Sequence, residues 1–187
     1  MTDSNNSAIR AAVFADTHGN INSLWNALEK NGPFDLVVHL GDGVEDGAQA
    51  AGEMGIEFYG VAGNEDFGSG FPETRVLTLG GMDFLLIHGH QTDINPFQPK
   101  DIWDVHFNEL CDWARSNGTA GLMFGHTHKP YLEKTDELLI LNPGEQHPGS
   151  RRPPTFAVVE AIDGKVEIEI KADEGNGVWE VTERMAV

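Results

Sequence analysis

The chain has 187 residues, and its 30 acidic side chains against 12 basic ones leave a formal net charge of −18. A surface of that sign repels nucleic-acid backbones, which excludes a broad nucleic-acid-binding face, and no apolar run approaches the ~20 residues of a membrane span. The length suits one domain, 1–187, able to bury a two-layer or thicker core.

The first segment, Met1 to Ser7, is polar and lacks the basic, apolar and small-residue order of a signal peptide, so a cytoplasmic location is expected. Ile9 to Ala15 reads as a first strand. Ile21, Leu24 and Leu28 then recur at helical spacing up to the breaker Asn31-Gly32-Pro33. Leu36 to Leu40 is a second apolar strand, Glu45 to Met54 an Ala-rich helix and Ile56 to Ala62 a third strand. This alternation predicts parallel pairing. Arg75 to Leu79 and Met82 to Ile87, joined by Gly80-Gly81, have the chemistry of a hairpin. Asp101 to Arg115 reads as a helix with Asp101 placed to cap it and Ile102, His106, Leu110 and Trp113 on one face. The lone cysteine, Cys111, lies inside that helix and is read as a buried structural thiol.

After Ala120 to Phe124 the pattern predicts a β meander through Tyr131 to Lys134, Leu138 to Leu141, Thr155 to Ala161 and Val166 to Ile170, broken by a Gly- and Pro-rich loop, Gly144 to Pro154. Val178, Trp179 and Val181 suit an edge strand. A mixed α/β protein with two sheets fits these elements best.

Five segments carry the chemistry. Each runs from strand-like residues into a Gly-rich turn that ends on a metal-ligand type: Asp16 and His18, Asp42, Asn64, His88, then His126 and His128. Asp16 and His18 are two apart, which in extended backbone turns both side chains the same way, and His126 and His128 repeat that geometry. Asp42 has two carboxylate oxygens and so is the kind of ligand that bridges ions. The set mixes nitrogen and oxygen without thiolate, which suits Mn²⁺, Fe, Co²⁺, Ni²⁺ or catalytic Zn²⁺ better than a structural zinc. Two such ions about 3.5 to 4 Å apart can hold a bridging hydroxide and clamp a phosphoryl group for in-line attack. Isolated histidines such as His39 and His106 read as structural.

Taken together, D-x-H at Asp16 to His18, G-D at Gly41-Asp42, G-N at Gly63-Asn64, His88 before Gly89-His90, and G-H-T-H at Gly125 to His128 resemble the calcineurin-like metallophosphoesterases. Asn142-Pro143-Gly144 resembles the N-P-G-S turn of the compact YfcE-type phosphodiesterases. The resemblance runs from about Ile9 to Ile170. It implies an α/β fold built as a four-layer α/β/β/α sandwich of two mixed sheets, with the metal site at the C-terminal strand ends. It further implies two divalent ions, Mn²⁺ first among them. One would be held by Asp16, His18, Asp42 and His128, the other by Asp42, Asn64, His88 and His126.

The implied reaction is phosphodiester hydrolysis on a small phosphate-ester substrate. A phosphomonoesterase on the same site is one alternative, and a non-catalytic scaffold similar to the retromer subunit Vps29 is another. Homo-oligomers remain open. The chain departs from the family at Glu65, where the residue after G-N is often histidine, or cysteine in the compact subgroup. Glu65 would either protonate the leaving oxygen or be an orienting or solvent-facing residue. His90, beyond the ligand His88, would contact the phosphate or make a supporting hydrogen bond. Arg151-Arg152 would meet a second phosphate or keep a Pro-rich loop solvated. Because the motif segments supply no arginine, diesters are expected to be hydrolysed better than monoester dianions.

Overall fold

The computed structural model describes residues 8–175 and 177–187, so Met1–Ser7, read above for a targeting signal, lies outside it. β1 (Ile9–Phe14), β2 (Leu36–His39) and β3 (Glu57–Gly60) alternate with α1 (Ile21–Asn31) and α2 (Val44–Met54), and the three strands pair in parallel as their apolar runs predict. β4 (Thr74–Leu79) and β5 (Met82–Ile87) form the expected hairpin. Gly80 and Gly81 both take positive φ, 58° and 85°, which the two-residue turn needs. There follow α3 (Lys100–Ser116), β6 (Gly121–Phe124), β7 (Tyr131–Lys134), β8 (Leu139–Asn142), β9 (Thr155–Ile162), β10 (Lys165–Asp173) and β11 (Trp179–Ala186).

Two mixed sheets result, ordered β11-β10-β9-β1-β2-β3 and β4-β5-β6-β8-β7. Their facing surfaces share one apolar core that includes Val13, Val38, Leu86, Met123, Leu141 and Ile168. α1 and α2 cover the outer face of the first sheet through Leu24, Leu28 and Ala50, where Phe14 stacks on Phe156 with ring centres 5.2 Å apart. α3 covers the second sheet by packing Leu110, Cys111 and Ala114 against Leu85, Phe124 and Ile140. The layers are therefore α/β/β/α, and Cys111 is buried as expected. No helix among the described residues is long and apolar enough to cross a membrane.

Three expectations need correction. The last strands do not form a single meander: β8 pairs with β6 in parallel, whereas β9 changes sheets and runs antiparallel to β1. Asp101 does not cap α3; Pro99 precedes the helix and makes no side-chain cap, leaving Asp101 in the first turn. The inner face of α3 is also rotated, with Trp103, Phe107, Leu110 and Ala114 turned inward while Ile102 is exposed. Elsewhere the pattern holds. Val166, Ile168 and Ile170 alternate inward along β10, and β11 is an edge strand beside it.

Candidate metal centre

β1 and β2 in one sheet and β5 and β6 in the other deliver Asp16, Asp42, His88 and His126 just past their C-terminal ends, the edge where open α/β sheets bind ligands. The backbone of His126 joins the two sheets there by donating its N–H to Asp16 Oδ2 at 2.9 Å. Glycine makes the approach possible. At Gly41 (φ 97°) an added Cβ would stand 2.6 Å from Gly63 N and 2.7 Å from His88 Nδ1.

The structure gathers six of the seven expected ligands into two groups, Asp16, His18 and His128, and Asp42, His88 and His126, with each group's ligand atoms within 4.8 Å of one another. Within the sets, His88 Nε2 is 3.3 Å from Asp42 Oδ2 and His18 Nε2 is 3.3 Å from His128 Nε2; between them, His88 Nε2 lies 3.9 Å from Asp16 Oδ1. Asn64, the seventh, is exposed beside them, directly after Gly63, whose close packing on Asp42 leaves no room for a side chain. Asp16 Oδ1 is buried without a hydrogen-bond partner although His128 Nε2 lies 3.3 Å away. A buried carboxylate oxygen facing imidazole nitrogens, with no thiolate nearby, fits a divalent cation of the borderline class.

Backbone strain marks the same residues. Asp16, His18, Asp42, His126 and His128 all take left-handed backbone, with φ between 46° and 64°, and they are five of the seven non-glycine residues that do so among those described. Each such residue costs on the order of 1 kcal/mol. Tertiary hydrogen bonds hold these turns, Asp16 N–H to the Gly41 carbonyl at 3.0 Å, His18 N–H to the Asp42 carbonyl at 3.1 Å and His126 N–H to Asp16 Oδ2 at 2.9 Å.

Carboxylates orient the imidazoles. His128 Nδ1 donates to Glu145 Oε2 at 2.7 Å and His18 Nδ1 pairs with Glu65 at 2.9 Å, which aims both Nε2 atoms inward. His88 Nδ1 donates to the Leu40 carbonyl at 2.7 Å and likewise leaves Nε2 facing Asp42. Glu145 is itself held by Ser150 Oγ at 2.7 Å, and Asn142 donates to the Gly125 carbonyl at 2.8 Å, pinning the G-H-T-H turn. His147 stacks edge-on against His18 with ring centres 4.6 Å apart. Sequence reasoning missed Glu145, His147 and the backbone-binding carboxylate Asp66. The only signal was the glutamate after Asn142-Pro143-Gly144, where the resembling turn has serine.

His90 lies at the rim, its ring 5.4 Å from that of His88 and its Nδ1 buried without a partner. Burial and the neighbouring His88 lower its pKa. Burial and the charge of His88 also lower His126, to about 4. Asp42 is pushed up by burial, but the hydrogen bond and charge of His88 and the Glu65 N–H outweigh this and bring it to about 2. Burial opposes charge on His128 too, yet Asp16 and Glu145 overcome it and hold its pKa up to about 9.

That last shift has a consequence for the metal-free protein. A folded pKa above the ordinary 6.5 means the contribution of His128 to stability is full below pH 6.5 and lost as pH rises through about 9. In chelator, the advantage of the native chain over His128→Gln in urea unfolding is therefore expected to be largest near pH 6 and to shrink by pH 9.5. An advantage that grows with pH would contradict this.

A two-sheet α/β sandwich with histidines and carboxylates massed at its strand ends is the build of a metallophosphoesterase. The model of the calcineurin-like phosphoesterase superfamily domain matches residues 9–164, and the chain belongs to that family. A probable metallophosphoesterase of Mycoplasma pneumoniae is 30% identical over 159 residues, 84% of this chain and 92% of that one. Among solved structures, a predicted phosphoesterase of Streptococcus pneumoniae TIGR4 is 26% identical with a TM-score of 0.72, covering 97% of this chain and 99% of its own. Wild-type Vps29 of Entamoeba histolytica, complexed with zinc, shares the fold at 22% identity and a TM-score of 0.71, covering 95% of this chain and 99% of its own.

Proposed function

We propose that the chain is a metal-dependent phosphodiesterase holding two divalent ions, Mn²⁺ by preference, on Asp16, His18, Asp42 and His128 and on Asp42, Asn64, His88 and His126. The observation that carries this reading is the pair of histidine-carboxylate groups, linked because Asp42 of one also groups with His18 of the other and with Glu65. Ions bound there would supply a nucleophilic water and neutralise phosphoryl charge.

The chain's own residues do the rest. Glu65 and Glu145 fix the His18 and His128 rings, so of the roles open to Glu65 the contact with His18 favours orientation. His90 and Asn64 line a cavity of about 360 Å³ on one side of the cluster, the place assigned here to a phosphoryl oxygen's polar contacts. A second cavity of about 490 Å³ opens on the other side, beside His126 and His128. A diester carries two arms and uses both; a monoester leaves one empty. All seven expected ligands stand in the sequence, and a likeness to Vps29 at 22% identity concerns the fold alone, so the catalytic reading is preferred over a scaffold.

The test strips the protein with chelator, reloads it with Mn²⁺, counts ions per chain by mass spectrometry and compares bis(p-nitrophenyl) phosphate with p-nitrophenyl phosphate. Two ions and a higher kcat/KM on the diester are expected. No metal-dependent turnover on either ester would refute the reading. A monoester preference that disappears in Arg151→Ala or Arg152→Ala would make the chain a phosphatase instead.

A further inference from the structure

The two cavities beside the metal centre differ in charge. The one lined by His90 carries Asp66 and Glu73 and contains no Lys or Arg. The larger one is bounded by Phe97, His126, His128, Glu145, Arg151 and Arg152. Arg152 is committed to the protein, donating to the His128 carbonyl at 2.7 Å and lying 3.9 Å from Glu145. Arg151 is exposed on the same wall, and its side chain makes no hydrogen bond or ion pair among the described residues. In a chain of net charge −18, an uncommitted guanidinium at the mouth of a cavity beside the reaction centre is a site for an anion.

Phe97 adds a second feature. Its ring is 92% exposed, yet the turn beneath it is tightly built. The Phe97 N–H donates to Asn95 Oδ1 at 2.9 Å, Gln98 Nε2 donates to the Asp93 carbonyl at 2.9 Å, and Lys129, next to His128, reaches the Pro96 carbonyl at 3.0 Å. An aromatic ring presented on an ordered turn at a cavity rim provides a stacking surface for a flat π system.

Resting on the diesterase reading above, we propose that this cavity takes the retained arm of a nucleotide-type phosphodiester, with its base against Phe97 and a further phosphate on Arg151. The leaving arm then occupies the cavity beside His90, which has no Lys or Arg to hold a further phosphate. Phe97 and Arg151 are thus specificity-determining residues.

The experiment uses three diesters with the same p-nitrophenolate leaving group, whose retained arm is methyl, thymidine 5′-linked, or thymidine 5′-linked with a 3′-phosphate. On the Mn²⁺-loaded protein, kcat/KM is expected to rise about tenfold with the base and about tenfold again with the 3′-phosphate. Phe97→Ala should bring the thymidine-to-methyl ratio towards one, and Arg151→Ala should remove the gain from the 3′-phosphate, with Arg151→Lys restoring part of it. Equal rates on all three esters, or ratios unmoved by the substitutions, would overturn the proposal while leaving the diesterase reading intact. Binding of thymidine 3′,5′-bisphosphate by calorimetry separates the two ideas. If no ester is hydrolysed but each alanine variant weakens this binding about tenfold, the cavity assignment stands and the diesterase reading falls. Unchanged binding would remove the cavity assignment as well.

Discussion

Asp42→Asn is expected to lower metal-dependent kcat/KM by about a thousandfold, equivalent to about 4 kcal/mol of transition-state stabilisation. Asp42 groups with His88 and His126 on one side and with His18 and Glu65 on the other, so its carboxylate is placed to serve both proposed ions. Its Oδ1 already accepts the Glu65 N–H at 2.8 Å, and Oδ2 faces His88 Nε2 at 3.3 Å. An asparagine that keeps the first contact must turn its NH₂ towards His88, replacing an anionic oxygen with a donor. With the carboxyl held at about pKa 2, the lost charge is one present throughout the working pH range. Metal analysis should find fewer than two ions per chain. His90→Ala is the contrast, with metal content kept and turnover reduced, because His90 belongs to neither ligand group and lines the adjoining cavity at the rim. An Asp42→Asn protein that kept both ions and full activity would show that the bridge lies elsewhere.

What could be read in advance, and what could not, follows from how local each feature is. Continuous apolar runs and Gly-rich turns are local, so β1, β2, β5 and β6 and the residues at their ends were legible. Strand partnership is not local. β8 and β9 both read as apolar strands, and nothing in their periodicity says that one joins β6 and the other crosses to β1. On α3, Trp103, Phe107, Leu110 and Ala114 form a stripe as regular as the one through Ile102 and His106, and burial against β6 and β8 selects it. Helix capping failed for a similar reason. Asp101 has the right side chain, but the chain arrives through Pro99 and the helix starts at Lys100.

The site divides in the same way. Ligand-type side chains next to glycines stand in the sequence, whereas left-handed backbone at Asp16, His18, Asp42, His126 and His128 does not, because turns distant in sequence bond to one another there, as Asp16 N–H to the Gly41 carbonyl and His126 N–H to Asp16. Glu145 looked like one more acidic loop residue in a chain with 30 of them. Only the tertiary fold shows that its side chain is buried and directed at His128 Nδ1.

Asp66 is the residue of this hidden kind whose removal should most affect stability. Its carboxylate accepts four backbone N–H groups: Asp42 at 2.7 Å and Gly63 at 2.8 Å on Oδ2, and Gly43 at 2.8 Å and Val44 at 3.1 Å on Oδ1. Gly43 and Val44 begin α2, and that helix start has no side-chain cap of its own, so Asp66 serves it from across the site. It also ties the turn after β2 to the turn after β3, which places Asp42 next to Asn64. Asp66→Ala leaves these partly buried amides without their acceptor and is expected to cost about 3 kcal/mol in urea unfolding of the metal-free protein. Asp66→Asn should recover little of this, since its single oxygen can serve one pair of donors while its NH₂ is set against the other. The two variants should also bind metal more weakly, because the turn that carries Asp42 loses its tether. If both unfolded within about 0.5 kcal/mol of the native chain, as surface substitutions usually do, the four contacts would have no part in holding the two turns together.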